Sequence, residues 1–128
     1  MAKASANGTN GSKWIRKDLR LAIYLRDGLV CAYCGRDLAG APPADVTLDH
    51  LIPGHEDHRA TNLVTACRSC NSSRQDTPLT AWVGATRARK VRAMARRSVK
   101  RHRAVAKTIL ALAAEERPAA VEAARRAS

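Results

Sequence analysis

Apolar residues recur at helical spacing early in this chain. Ile15, Leu19, Ala22 and Ile23 form one stripe, with Trp14, Leu21 and Leu25 beside it. Ser12 can cap such a helix and Asp27-Gly28 can stop it, which predicts a helix from Ser12 to about Arg26. Val30 to Gly35 reads as a short strand entering a turn, and Ala39 to Pro43 as a loop. From Val46 to Ile52 the period changes to two. Val46, Leu48, His50 and Ile52 alternate with Thr47, Asp49 and Leu51, as on a strand, and Pro53-Gly54 closes it. The polar run His55-Glu56-Asp57-His58-Arg59 predicts an exposed loop, and Asn62 to Ala66 a second short strand returning beside the first.

Helical spacing then resumes. A short helix is expected from Arg68 to about Gln75. Thr77-Pro78 starts another, carrying Leu79, Trp82 and Val83. Thr86 to about Glu116 is rich in strong helix formers. Val91, Met94, Ala95, Val99, His102, Val105, Ile109 and Leu112 keep a rough stripe until Pro118 breaks or ends the helix. On that stripe His102 reads as a packing or surface residue.

Composition narrows the class. A chain of 128 residues is one domain of ordinary size. It has no Phe, and its aromatics are Trp14, Tyr24, Tyr33 and Trp82, so the core is small and a metal staple would help it. No run approaches a membrane span. The net charge of +12 is uneven, with +2 in residues 1–86 and +10 in residues 87–128. Such a basic segment points to a polyanion partner, with a solvated helix face as the plainer alternative. The division expected is a disordered tail at 1–11, a compact domain at 12–84 and a basic helical extension at 85–128.

The four cysteines fall into two Cys-x-x-Cys pairs, Cys31/Cys34 and Cys67/Cys70. That spacing lets both sulfurs of a pair reach one ion, the tetrahedral pattern of structural zinc. The other reading is a pair of disulfides in a secreted protein, but the first residues, MAKASANGTNGSK, are small and polar rather than apolar. Four protein ligands leave no open position for water, so such a zinc is structural. Between the pairs stand Asp49-His50 and Asn62, and Asn71 follows Cys70 directly.

This ordered set, CAYCG, LDHLIP, NLVTACRSCN and the trailing Arg74, resembles the HNH endonuclease family of the ββα-metal type, and most closely its small zinc-containing phage and bacterial proteins. The resemblance runs from about Leu19 to Val83. It implies a small α+β fold: a ββα-metal module stapled by a Cys₄ zinc site, with an N-terminal helix and a long basic C-terminal helical segment. It also implies a metal-dependent DNA endonuclease that nicks or cuts duplex DNA. His50 would be the general base, and Asp49 and Asn71 oxygen ligands to a Mg²⁺-like ion, with Mn²⁺ or Ni²⁺ as other divalent candidates. Asn62 would tie the loop between the strands, and Arg74 would contact phosphate.

Two points stand against a simple transfer. Neighbouring strand residues face opposite ways, so Asp49 and His50 address one phosphate only if the strand ends or is irregular there. The loop carries Gly54-His55-Glu56-Asp57-His58 where the family often has Gly-Gly. His55 and His58 are read as surface residues. The resemblance further implies a bacterial cytoplasmic setting such as phage DNA packaging beside terminase or portal proteins, without membrane attachment. The competing class is a catalytically silent zinc-ribbon DNA-binding protein. Retention of Asp49, His50 and Asn71 together argues for the enzyme.

Overall fold

The computed structural model describes residues 15–53 and 57–127. Ser12, Trp14, Gly54, His55 and Glu56, and the expected tail, lie outside the described residues. Five helices and a two-stranded antiparallel sheet make a small α+β fold: α1 (Lys17–Arg26), β1 (Val46–His50), β2 (Leu63–Cys67), α2 (Arg68–Arg74), α3 (Leu79–Arg96), α4 (Lys100–Leu110) and α5 (Arg117–Ala127). The register pairs Val46 with Cys67 at one end and His50 with Leu63 at the other. Every side chain of β2 is buried, whereas β1 is only half-covered. The expected strand at Val30 to Gly35 is a single bridge, Val30 to Asp37, because the chain turns back at once through Cys31–Cys34.

Two apolar clusters flank the sheet. One joins Tyr33, Leu38, Leu51, Val64 and Leu79 to Ala88, Val91 and Ala95 of α3. The other joins Ile15 and Ile23 to Leu63, with Leu19, Leu48 and Val99 beside it. The basic extension is therefore no appendage: its first helix supplies core. Helix α4 lies on α1, burying Ala106 and Ile109, and Arg103 Nε meets Asp18 Oδ2 at 2.9 Å.

The long C-terminal helix is in fact three. Arg97 and Val99 leave helical geometry between α3 and α4, so the stripe from Val91 to Leu112 is interrupted. Arg117 donates to the carbonyls of Leu110 (3.0 Å) and Leu112 (3.1 Å), supplying partners at the C-terminal end of α4. Pro118 lies in the first turn of α5 and so opens a helix instead of ending one. Within α3 the axis kinks at Gly84, whose φ of 85° and ψ of 163° suit glycine alone.

Candidate active site and metal centre

At one end of the sheet the four cysteine sulfurs lie within 4.8 Å of one another. Local backbone bonds set them there. The N–H of Gly35 donates to the Cys31 carbonyl at 2.9 Å, and Gly35, at φ 79°, turns the chain out of the first pair. Cys67 ends β2 and caps α2, its Sγ accepting from the Cys70 N–H at 3.4 Å. Four sulfurs around one zinc at its usual bond length stand about 3.8 Å apart. The Cys34–Cys67 sulfur separation is 3.9 Å, and all four cysteines are free thiols. The set fits a metal such as zinc. Burial pushes the thiols of Cys34 and Cys70 up. It does the same to Cys31, but there backbone N–H groups of Cys34, Cys67 and Tyr33 outweigh it and bring the thiol down.

The other end carries the acid–base groups. Asp49 is paired with Val64 and His50 with Leu63 as the last ladder positions of β1, so the strand is regular up to its end. Asp49 points inward and is 8% exposed. Its Oδ2 accepts from the Tyr33 hydroxyl and from Arg74 Nη1, the latter at 2.7 Å. Its Oδ1 receives no hydrogen bond from any described residue. Burial, then the Asp49 carboxylate, hold the Tyr33 hydroxyl firmly protonated.

Asn71 stands on α2 with its amide nitrogen donating to Thr47 Oγ1 (3.0 Å) and the Leu48 carbonyl (3.2 Å). That fixes which side of the amide faces β1. The amide oxygen has no donor among the described residues. Asp49 and Asn71 thus each hold one oxygen uncommitted, the donor type a hard divalent cation takes. The residues fit such an ion.

His50 is half-buried. Its Nε2 lies 2.9 Å from His58 Nδ1. Burial, then the nearby His58, draw the His50 pKa below its ordinary value, against the opposing pull of Asp49 and Asp57. The ring is therefore neutral at pH 7, the state in which it can accept a proton. Asn62 spans the loop beyond it: its Oδ1 accepts from the Ile52 N–H and its Nδ2 donates to the Asp57 carbonyl, both at 3.0 Å.

Two expectations need correcting. Arg74 is 0% exposed and cannot present itself to a phosphate. Besides Asp49 it donates to the carbonyls of His50 (2.9 Å), Leu51 (2.8 Å) and Thr77 (3.0 Å), so it clamps the end of β1 to the end of α2. The inward-facing Asp49 attracts it, a pairing that helix spacing does not reveal. His58, in turn, is half-buried against His50 rather than a surface loop residue.

Sequence reasoning also missed Tyr33, hidden inside a Cys-x-x-Cys, and two arginines of α3. Arg92 and Arg96 line a cleft of about 400 Å³ with Leu51, Ile52, Pro53 and Asn62, next to the loop after His50. Their spacing of four residues on one helix face was the available signal.

A two-stranded antiparallel sheet closed by a helix, with a cysteine cluster at one end, Asp49 and His50 at the other end of β1 and Asn71 bonded to the middle of β1, makes a ββα module. Residues 31–77 match the HNH endonuclease family. The CRISPR-associated endonuclease Cas9 of Actinomyces naeslundii is 33% identical over 67 residues, which is 50% of this chain and 6% of that protein. The chain spans only that small part of its relative. No solved structure matches the chain. Among the described residues no helix is long and apolar enough to cross a membrane.

Proposed function

We propose that this protein is a metal-dependent DNA endonuclease, with a structural zinc on Cys31, Cys34, Cys67 and Cys70. Asp49 Oδ1 and Asn71 Oδ1 would hold a Mg²⁺-like ion, with Mn²⁺ or Ni²⁺ as substitutes. The observation that carries this reading is that Asp49 and Asn71 each keep one side-chain oxygen uncommitted among the described residues, on and beside the strand that ends in His50. The ion, when bound, supplies positive charge against the phosphate as it gains negative charge. His50 accepts a proton from water at its free ring nitrogen. The hydroxide formed attacks phosphorus, the bond to the leaving sugar oxygen breaks, and that oxygen takes a proton from solvent. Asn62 holds the loop that positions His50.

The exposed basic residues of α3 and α4, among them Arg89, Arg92, Arg96, Lys100 and Arg101, support DNA as the substrate. Arg92 and Arg96, beside the His50 loop, take the phosphate-contacting role that Arg74 is placed too deep to fill. The bacterial cytoplasm suits both DNA and four reduced thiols. A place in phage packaging beside terminase or portal proteins rests on the family resemblance alone. The buried Asp49–Arg74 pair favours the silent DNA-binding alternative, since it engages one carboxylate oxygen.

Supercoiled plasmid incubated with the protein in Mg²⁺, Mn²⁺, Ni²⁺ or EDTA separates the two. The enzyme reading expects nicking that needs a divalent ion and falls by roughly 10²–10⁴ in His50→Ala, with DNA affinity changed by no more than a few-fold. Wild-type nicking by His50→Ala, or none by the native protein in any metal, overturns it.

A further inference from the structure

The candidate base has a ring partner. The His50 and His58 rings meet edge to face, 66° apart in plane with centroids 5.0 Å apart, and their nitrogens Nε2 and Nδ1 are at hydrogen-bond distance. A neutral imidazole carries one proton on two nitrogens, so one ring of the pair must donate and the other accept. The two arrangements differ in consequence. If His58 donated, the His50 proton would sit on Nδ1, and neither His50 nitrogen could take a proton from water. If His50 donates through Nε2, its Nδ1 keeps an open lone pair.

Resting on the reading of His50 as the base, we propose that His58 is a positioning residue of the nuclease reaction: its Nδ1 accepts from His50 Nε2–H and so sets the tautomer and ring angle that leave His50 Nδ1 to meet water. The bond then strengthens as the proton arrives, because the donor becomes a cation.

The backbone is built to hold this contact. Asn62 ties Ile52, two residues after His50, and Asp57, next to His58, through the two ends of one amide. It therefore fixes both flanks of the loop and brings the two rings together. Asp57 is pinned by Arg59, whose N–H and Nε donate to its Oδ1 at 3.1 and 2.9 Å, while Nη2 donates to its Oδ2 at 2.9 Å. Asp57 thus faces Arg59 and is not free to replace His58 as the partner of His50.

The test uses the full chain with its zinc, and single-turnover nicking of supercoiled plasmid in saturating Mg²⁺. His58→Leu keeps a side chain of comparable bulk but removes the acceptor. His58→Asn places an amide oxygen close to the position of Nδ1. The rate should fall by about 10–100-fold in His58→Leu and by no more than about three-fold in His58→Asn, with metal-free DNA affinity unchanged in both. Nitrogen NMR of the wild-type imidazoles should report the His50 proton on Nε2. The proposal is overturned if His58→Leu cuts at the wild-type rate, if His58→Asn is as slow as His58→Leu, or if the His50 proton is found on Nδ1. An inactive His50→Ala beside a fully active His58→Leu removes only this proposal. A fully active His50→Ala removes the nuclease reading of His50 itself.

Discussion

Two arginines, Arg26 and Arg74, are nearly or wholly buried on an aspartate, and each fastens several segments at once. Arg26, 4% exposed, pairs with Asp27 at 2.7 Å and donates to the carbonyls of Ala60, Leu63 and Ala95. Arg74 does the same with Asp49 and the carbonyls of His50, Leu51 and Thr77. The carboxylates differ. Asp27 commits both oxygens, Oδ1 to Arg26 Nε and Oδ2 to Arg26 Nη2 and to the N–H and hydroxyl of Thr65. Among the described residues Asp49 commits only Oδ2. The same chemistry thus makes a closed joint in one place and a half-open one in the other. On the proposed function, an aspartate with an oxygen left over next to a histidine is what separates the reactive position from the structural one.

The harshest way to break the comparison is to end the chain after Thr86. That removes the Ala95 acceptor of Arg26 and the core residues Ala88, Val91 and Ala95, while leaving every partner of Arg74 in place. Circular dichroism should show no cooperative unfolding transition. A folded truncated protein would mean that the Arg26 joint is dispensable.

Replacing Cys67 by Ser attacks the sheet from the other end. Structural zinc sites are worth roughly 10–16 kcal/mol of apparent binding at neutral pH, so the variant should be unfolded and metal-poor. The native protein should hold one zinc per chain by elemental analysis.

Arg26→Met and Arg74→Met compare the joints directly. Each leaves a buried carboxylate uncompensated and should cost about 3–5 kcal/mol in urea unfolding. Removing both charges at once sharpens the contrast. Arg26→Met with Asp27→Leu should recover part of that stability and keep nicking in its folded fraction, because apolar replacement of a buried pair is often neutral. Arg74→Met with Asp49→Leu should recover stability and cut nothing at any metal concentration. Equal activity in the two double variants would erase the distinction.

The smallest effect belongs to Asp18 of α1, in its outlying pair with Arg103 of α4. Its hydrogen bond to Arg103 holds its carboxyl below the ordinary 3.8. The stabilisation is therefore complete above that value and lost as pH falls through the lower folded one. Asp18→Asn should loosen α4 slightly at pH 7, and the difference from the native protein should vanish in strong acid.

Much of this was readable beforehand because it is local. Cys spacing, the alternation of Val46 to His50 and the order of Asp49, His50, Asn62 and Asn71 are short-range patterns with few structural solutions. What escaped was decided by partners distant in sequence. Arg74 meets Tyr33 across 41 residues, and Arg26 meets Ala95 across 69. No periodicity states where a long cationic side chain ends. His58 looked solvated because its neighbours are polar, while Asn62 was folding its loop back onto His50. The breaks flanking α4 were hidden by uniformly high helix propensity, which says that helices form but not where packing requires them to turn.

The contact of α1 with α4 bears on the order in which the chain assembles. Arg103 and Asp18 are 85 residues apart, so this docking closes the longest loop among the described side-chain pairs. A metal joining Cys31 to Cys70 roughly halves the free chain between them, yet each halving is worth only about 0.6 kcal/mol. Zinc therefore hastens this closure very little, and α4 must be retained by its own buried Ala106 and Ile109. Together with α5, which packs on it and buries no residue, α4 should be among the last elements to seat and the first to lift, with amide protons that exchange well before those of β2.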